Sequence, residues 1–217
     1  MKKIADNKKY RARIMDKQVQ RYLATFGAVC IEGPKWCGKT WISSHHANSE
    51  FFIADSSNNF QNRRLAETSP ALVLEGKTPR LIDEGQEVDG IWDAVRYAVD
   101  QRGEKGQFIL TGSSTPQKKS RVHSGVGRIG KLRMRTMSLY ESGESSGKIS
   151  LEDLCEGKMQ QALTGEVSLT DLANYIVRGG FPGAIDMPVE NASLIAETYV
   201  KTILNDDAKE LTESATI

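Results

Sequence analysis

The sequence predicts an α/β fold in which a parallel sheet is covered by helices on both faces. Three observations support this prediction: short apolar, β-branched segments alternate with segments of helical periodicity, a glycine-containing loop follows the first apolar segment, and polar residues follow two others. Alternating strands and helices are typical of parallel sheets, whose crossover connections are helical. With 217 residues, the chain is long enough for one main domain and an appendage.

The first part of the chain begins with a helix and then alternates strand and helix. Residues 14–25 place apolar side chains at helical intervals, which predicts an amphipathic helix. The short β-branched run 28–31 predicts a buried strand, and the loop after it leads into a helix over 40–46. The apolar run 51–54 predicts a second strand, and 59–67 predicts another helix.

Three more strands and one strong helix complete the predicted sheet. The third strand covers 81–84, where two apolar residues run into two acidic ones. Apolar residues repeat at helical spacing over 91–103, and a glycine ends that helix. The run 107–111 predicts a fourth strand, which Gly112 stops, and 132–138 predicts a fifth.

A polar Ser/Gly stretch changes the composition of the chain near residue 141. Beyond it, Ser150 and Ser168 each precede an aspartate by three positions, a spacing typical of helix N-terminal caps, and Gly179 follows the last apolar residues of a helix. The last third is therefore predicted to be helical. The predicted organisation is a core over 1–140, a linker or surface loop over 141–149, and a helical region over 150–217.

The loop after the first strand fits the pattern G-x-x-x-x-G-K-[ST]. In this pattern, backbone N–H groups wrap the β-phosphate of a nucleotide, a helix N-terminus lies behind it, and the lysine reaches the β and γ oxygens. A buried strand precedes the loop and a helix follows it, which is the context that the motif requires. The sequence therefore predicts a P-loop NTPase fold. The predicted nucleotide-binding residues are Gly33, Pro34, Lys35, Trp36, Cys37, Gly38, Lys39 and Thr40.

Acidic residues at the end of the third strand suit the metal ion that accompanies a bound triphosphate. Thr40 is expected to place its hydroxyl on Mg²⁺, and Asp83 is the candidate second ligand. Glu84 is the candidate general base that activates water. Lys39 is a further candidate catalytic residue. The alternative is that Asp83 and Glu84 form a solvated strand end, but the P-loop favours the catalytic interpretation.

The fourth strand ends in Thr111, Gly112 and Ser113. Strand ends on the phosphate side of an open α/β sheet are where ligand-contacting groups lie. Either Thr111 or Ser113 is a candidate for orienting water or contacting the γ-phosphate. An ordinary polar strand cap is the alternative, and the sequence does not decide between the two residues.

A basic segment without any acidic residue extends from Lys105 to Tyr140. It is open to three interpretations: an arginine that stabilises transition-state charge, in the same chain or across the interface of a homo-oligomer; contacts to nucleic-acid phosphates; or a solvated face paired with acids elsewhere. Arg128, between Gly127 and Ile129, is the candidate catalytic arginine. The clustered cations are Lys118, Lys119, Arg121, Arg128, Lys131, Arg133 and Arg135.

The cysteines and the overall charge exclude several classes of protein. The formal net charge of +1 does not fit an obligate nucleic-acid binder, so any such role must be local. The three cysteines show no CxxC pair, which predicts a reducing compartment and no thiol metal site. No segment has the apolar length of a signal peptide or membrane span, which favours a cytoplasmic protein without membrane contact.

Cys37 lies inside the P-loop, near a helix N-terminus and beside Lys39. This environment predicts a lowered thiol pKa, and alkylation of Cys37 is then expected to block nucleotide binding. The alternative is a small loop residue with no role of its own.

The motifs together resemble the predicted prokaryotic AAA+-superfamily ATPases that typically carry a C-terminal domain of unknown function. The likeness covers 31–40, Leu81 to Glu84, Ile91 to Asp93, Phe108 to Ser113 and Gly127-Arg128, within a span from about Tyr10 to Asp207. The resemblance implies ATP with Mg²⁺, metal and water-activating roles for Asp83 and Glu84, and a sheet of order 5-1-4-3-2. Members usually continue into a winged-helix and nuclease-like region, so this sequence is expected to be a truncated copy or a fragment.

Three functions follow from these motifs. The leading hypothesis is an ATPase that couples hydrolysis to movement of a helical appendage or partner. A nucleotide-dependent switch with little turnover and a DNA-associated ATPase are the alternatives. GTPases and transporters are disfavoured because the sequence has no N-K-x-D or L-S-G-G-Q motif. A small-molecule kinase fits less well, since the acidic pair and the polar end at Thr111 suit water activation.

Overall fold

The computed structural model describes residues 10–113, 125–158, 161–162 and 165–204. Residue contacts divide the chain into two compact units, Met1–Arg135 and Thr136–Ile217. In the described part of the chain, no helix has both the length and the apolar character needed to cross a bilayer.

A five-stranded sheet forms the centre of the first unit. Its strands lie in the order β2-β3-β4-β1-β5, and every pair of neighbours is parallel. The predicted parallel sheet and the order 5-1-4-3-2 are therefore confirmed. The strands are β1 (Ala28–Gly33), β2 (Ser49–Phe52), β3 (Arg80–Asp83), β4 (Phe108–Ser113) and β5 (Ile129–Arg133).

Three strands begin earlier than the sequence predicts: β3 begins one residue earlier, at Arg80, and β2 and β5 begin two or three residues earlier. β2 starts at Ser49 because its pairing with β3 includes this residue, whereas the prediction followed the apolar Phe51 and Phe52. β5 pairs with β1 from Ile129 onward and ends at Arg133. The prediction for β5 followed the apolar residues from Leu132 onward. Pairing with the neighbouring strand, which hydropathy does not show, decides where β5 begins and ends.

Helices cover both faces of the sheet, as predicted. The first unit contains α1 (Asp16–Thr25), α2 (Lys39–His46), α3 (Ser57–Thr68), α4 (Pro70–Val73) and α5 (Ile91–Arg102). On one face, Val19 of α1 and Ile42 of α2 pack with Ile31 and Ile109. On the other, Val95 of α5 packs with Ile82, Phe108 and Leu110. Successive residues of a central strand therefore enter opposite cores, which explains its uninterrupted apolar sequence.

The second unit is helical in its described part. It contains α6 (Leu139–Ser142), α7 (Leu151–Cys155), α8 (Leu169–Arg178) and α9 (Val189–Thr202). The two predicted caps are confirmed, because the hydroxyls of Ser150 and Ser168 accept hydrogen bonds from the backbone N–H groups of Asp153 and Asp171, each at 3.0 Å. α8 ends at Arg178 and Gly179 follows with φ 67°, as the sequence predicts. The start of the predicted linker belongs to α6.

Candidate functional site

The P-loop and the predicted acidic and hydroxyl residues lie at one edge of the sheet. β1, β3 and β4 are parallel, so their carboxyl ends meet there. The loop after Gly33 leads into α2, while Asp83 is the last residue of β3 and Thr111 lies two residues before the end of β4. The structure therefore brings together groups that come from three separate parts of the sequence.

The loop between β1 and α2 has the backbone of an anion-binding turn. Trp36 and Gly38 take positive φ values of 66° and 102°, and Gly38 is the N-cap of α2. A helix N-terminus leaves backbone N–H groups without helical partners, so it favours a negatively charged ligand. Gly33 is required by packing, since a Cβ atom there would lie 2.5 Å from the carbonyl oxygen of Met134.

Lys39 holds the loop from inside. Its Nζ donates hydrogen bonds to the carbonyl oxygens of Gly33 at 3.0 Å and Pro34 at 2.9 Å, and the residue is only 6% exposed. An ammonium group has three donors, so these contacts leave capacity for an oxygen of a bound phosphate. The buried cation is therefore placed within the phosphate loop, at the first residue of α2.

Asp83 accepts hydrogen bonds from two hydroxyl groups. Thr40 Oγ1 lies 2.9 Å and Thr111 Oγ1 lies 2.7 Å from Asp83 Oδ1. Thr111 is buried, and its hydroxyl also accepts the backbone N–H of Glu84 at 2.9 Å. The end of β4 thus fixes the end of β3, and the P-loop threonine is joined to the same carboxylate.

The pKa of Asp83 is raised above its usual value. Burial is the largest cause and nearby Glu84 adds to it, whereas the hydrogen bonds from Thr111 and Thr40 and the charge of Lys39 oppose it. A divalent cation would favour the ionised form, and hydroxyl and carboxylate oxygens are the ligands that Mg²⁺ prefers. Thr40 and Asp83 therefore fit the metal ion that the sequence predicts.

Glu84 follows directly, in a left-handed conformation with φ 56° and ψ 43°. This region is sparsely populated by residues with a side chain, and such residues are frequent at functional sites. Gln86, in the 3-10 turn Gly85–Glu87, donates a hydrogen bond from Nε2 to Glu84 Oε2. Both the backbone and the carboxylate of Glu84 are therefore held in place.

The two candidate residues at the end of β4 differ in position. Thr111 contacts both Asp83 and Glu84 through its hydroxyl. Ser113 is the last residue of β4 and pairs with Gly33 in the sheet register. Thr111 is therefore in position for a role at the acidic pair, and a role for Ser113 stays a prediction.

The prediction of a lowered thiol pKa at Cys37 is wrong. The residue is buried in the core beside α2, and burial raises the pKa of its thiol more than the nearby charges of Lys39 and Arg13 lower it. The sequence places Cys37 near two cations but does not reveal that its side chain points into the apolar core. The alternative from the sequence, a small loop residue with no role of its own, fits this environment.

Arg128 does not lie at the P-loop edge. It immediately precedes β5, whose first residue pairs with Ala28 at the start of β1, so it belongs to the opposite edge of the sheet. Its side chain forms an exposed ion pair with Asp100, with 2.8 Å between Nε and Oδ1. The prediction that Arg128 acts on a nucleotide held by its own chain is therefore corrected. Action across a subunit interface stays a prediction.

The basic segment is partly paired with acids. Lys131 Nζ lies 3.2 Å from Glu32 Oε1 and 5.5 Å from the centre of the Trp92 ring. Arg133 and Arg135 are exposed. For Arg128 and Lys131 the structure supports the interpretation of a solvated face paired with acids. Lys118, Lys119 and Arg121 lie outside the described residues.

Arg13 is a contact of the P-loop that the sequence did not indicate. Its Nη1 donates to the carbonyl oxygen of Cys37 and its Nη2 to that of Arg135, each at 2.9 Å, and the residue is buried. Its sequence neighbours Arg11 and Lys17 are also basic, so no local pattern distinguishes it. Gln86 was also not identified from the sequence. Its position two residues after Glu84 is the one sequence feature that could have indicated it.

Comparison with known proteins agrees with this site. No curated protein matches the sequence. A family model described as AAA domain matches residues 25–143, which is more than half of the chain and includes the P-loop, Asp83, Glu84 and Thr111. The order of the strands and the geometry of the P-loop agree with this match, because both are those of a nucleotide-binding P-loop fold. The chain therefore belongs to the AAA domain family.

Proposed function

We propose that the chain is a Mg²⁺-dependent ATPase that hydrolyses the β,γ-phosphate bond. The observation that supports this most is a cluster directly beside the P-loop, in which the hydroxyls of Thr40 and Thr111 both donate to the carboxylate of the partly buried Asp83. The Thr111 hydroxyl also accepts the backbone N–H of Glu84. A loop that only binds phosphate does not need an acidic pair with such positioned hydroxyl partners.

The binding part of the proposal uses the P-loop. Backbone N–H groups of the loop 33–40 and the N-terminus of α2 bind the β-phosphate, and Lys39 contacts the β and γ oxygens. Thr40 and Asp83 hold Mg²⁺, which when bound neutralises charge on the phosphates. Thr111 keeps Asp83 in position through its hydroxyl.

The catalytic part uses Glu84. Its carboxylate accepts a proton from a water molecule aligned with the γ-phosphate, a contribution typically worth about 10²- to 10⁴-fold in rate. Glu84 directly follows Asp83 in the sequence, which supports a base beside the proposed metal ligand. Water activation therefore suits this site better than an acceptor pocket for a small molecule.

We extend the proposal to coupling between hydrolysis and movement of a helical appendage or partner. Arg13 supports this extension, because one guanidinium group binds the carbonyl oxygen of Cys37 in the P-loop and that of Arg135, the last residue of the first unit. A change of the loop on loss of the γ-phosphate would be transmitted through this contact to Arg135, directly before the second unit begins.

Phosphate release by the wild type and by Glu84→Gln tests the proposal. Glu87→Gln is a matched control, because Glu87 lies in the same turn but is exposed and ion-paired to Arg63 at 3.5 Å. We expect Glu84→Gln to lose about 10²- to 10⁴-fold in rate while still binding ATP, with Glu87→Gln unchanged.

Other outcomes distinguish the alternatives. ATP binding without phosphate release above the Glu84→Gln level would indicate a nucleotide-dependent switch. Hydrolysis that DNA stimulates, with a steep dependence on salt, would indicate a DNA-associated ATPase. Equal hydrolysis by wild type and Glu84→Gln would contradict the catalytic assignment.

A further inference from the structure

The carboxylate of Glu84 has a side-chain partner close to it in the chain. Gln86 Nε2 donates a hydrogen bond to Glu84 Oε2. The two residues are separated only by Gly85, and the left-handed backbone of Glu84 followed by a 3-10 turn brings their side chains together. The contact therefore depends on the unusual conformation of Glu84 itself.

Two contacts from different directions fix Glu84. Thr111 Oγ1 accepts its backbone N–H at 2.9 Å, and the Gln86 amide holds one oxygen of its carboxylate. A carboxylate with a defined donor on one oxygen has fewer orientations available for the other. Such restriction is a condition for efficient proton transfer at a fixed geometry.

Gly112 leaves the space that the Gln86 amide occupies. A Cβ atom at Gly112 would lie 2.9 Å from Oε1 and 3.5 Å from Cδ of the Gln86 side-chain amide. Gln86 Oε1 is buried and has no hydrogen-bond partner among the described residues. The amide is therefore held against the backbone of β4, with its NH₂ group directed at Glu84, because an ionised carboxylate requires a donor.

We propose that Gln86 is a positioning residue for Glu84 in ATP hydrolysis. The inference rests on the proposed function. The neutral amide holds one carboxylate oxygen without removing its charge, and the other oxygen accepts the proton of the attacking water. The water oxygen forms the new bond to the γ-phosphorus, the bond from that phosphorus to the bridging oxygen breaks, and ADP leaves with that electron pair.

Removal of the amide donor tests the role directly. We expect Gln86→Ala to lower kcat about 10- to 100-fold, the size of effect typical of a misplaced catalytic group, with the KM for ATP changed less than about threefold. Gln86→Met keeps the length of the side chain without a donor and should show the same loss. If Gln86→Ala does not fold, Gln86→Met still tests whether the amide donor is needed.

Gln86→Glu provides a signature that a merely structural role would not produce. A carboxylate in place of the amide has no donor for Glu84 and repels it, so kcat should fall further in Gln86→Glu than in Gln86→Met. The KM for ATP should again change less than about threefold, since the contact is made to the base and not to the nucleotide.

Gly112→Ala tests the same contact from the other side. Its Cβ would displace the Gln86 amide, so kcat should fall while Gln86 is present. When Gln86 is already alanine, Gly112→Ala should add little further loss. Full additivity in this double-mutant cycle would show that the two residues act independently and would overturn the proposed contact.

The outcomes separate this inference from the proposed function. If the wild type hydrolyses ATP, Glu84→Gln does not, and both Gln86→Ala and Gln86→Met have wild-type kcat, Gln86 has no positioning role. If Glu84→Gln and the wild type release phosphate equally, the proposed function itself fails. A larger loss of kcat in Gln86→Glu than in Gln86→Met, with the KM for ATP little changed, supports both.

Discussion

The hydroxyl of Thr40 donates a hydrogen bond to the carboxylate of Asp83, although the residues lie 43 positions apart. The distance between Oγ1 and Oδ1 is 2.9 Å. Thr40 lies in the first turn of α2 and Asp83 ends β3, and β4 separates β3 from the P-loop strand in the sheet. Thr111 at the end of β4 completes the cluster from this intermediate position.

Lys39→Ala should weaken binding of MgATP. The lysine is buried against the carbonyl oxygens of Gly33 and Pro34, so its loss removes both a phosphate contact and a brace of the loop. We expect about 10- to 100-fold weaker binding, from the size of a hydrogen bond to a charged group, measured by calorimetry. Lys17→Ala on the exposed surface of α1 is the control. Unchanged affinity in Lys39→Ala would contradict the assignment of the phosphate loop.

Thr40→Ala and Thr40→Ser should differ in their response to Mg²⁺. Serine keeps the hydroxyl that contacts Asp83, whereas alanine removes it. We expect the stabilisation of nucleotide-bound protein by Mg²⁺, measured as a shift in melting temperature, to persist in Thr40→Ser and to be largely lost in Thr40→Ala. An equal Mg²⁺ effect in both variants would argue against Thr40 as a metal ligand.

Asp83→Asn should stabilise the nucleotide-free protein at neutral pH. The pKa of Asp83 is raised in the folded state, mainly by burial, so ionisation opposes folding. The folded state binds the proton more tightly, and its stability therefore falls as pH rises from the unfolded value of 3.8 through the raised folded pKa. The neutral amide does not have this penalty, and Tm should rise by about 2–4 °C for each kcal/mol gained.

In Asp83→Asn, MgATP should raise the melting temperature less than in the wild type, because a proposed metal ligand is lost. The measurement is a set of melting curves of wild type and Asp83→Asn between about pH 4 and 8, with and without MgATP. The range begins near the pKa of a carboxyl group in the unfolded chain. The difference in melting temperature without ligand should widen as pH rises and then level off. A difference that is constant across this range would mean that Asp83 titrates normally in the folded protein.

Cys155 should react with iodoacetamide before Cys37. Cys155 is exposed, whereas Cys37 is buried and burial raises the pKa of its thiol. Alkylation depends on the exposed thiolate, so peptide mass spectrometry of the native protein should find label at Cys155 first, and nucleotide binding should persist at that stage. Cys155→Ser removes the fast site and serves as the control. Early labelling of Cys37 would reinstate the reactivity that the sequence suggested.

Arg128→Ala should leave phosphate release by dilute protein unchanged. The side chain forms an exposed pair with Asp100 at the edge of the sheet opposite the P-loop. Exposed pairs contribute little to folding, so the melting temperature should change little as well. Activity that rises with wild-type protein concentration, and a loss of this rise in Arg128→Ala, would instead identify an arginine that acts across a subunit interface.

Local patterns in the sequence predicted most of the fold because they report burial and backbone restriction directly. The β-branched run before Gly33 and the helical periodicity after Ile91 correspond to β1 and α5. The predicted boundaries of β2 and β5 were wrong because strand ends depend on the partner strand, as the pairing of Ile129 with Ala28 illustrates. The sheet order came from a family resemblance rather than from any local pattern.

The amino-acid sequence by itself determined the phosphate loop and the identity of the acidic pair. Spacing within Gly33 to Thr40 sets the backbone conformation of the loop, and a polar residue directly after an apolar strand lies at the sheet edge. Tertiary structure alone decided three matters: Arg128 lies at the far edge, the Cys37 thiol is buried, and Arg13 and Gln86 contact the site residues. These depend on which strands are neighbours and which way side chains point, and both arise only when the whole sheet has formed.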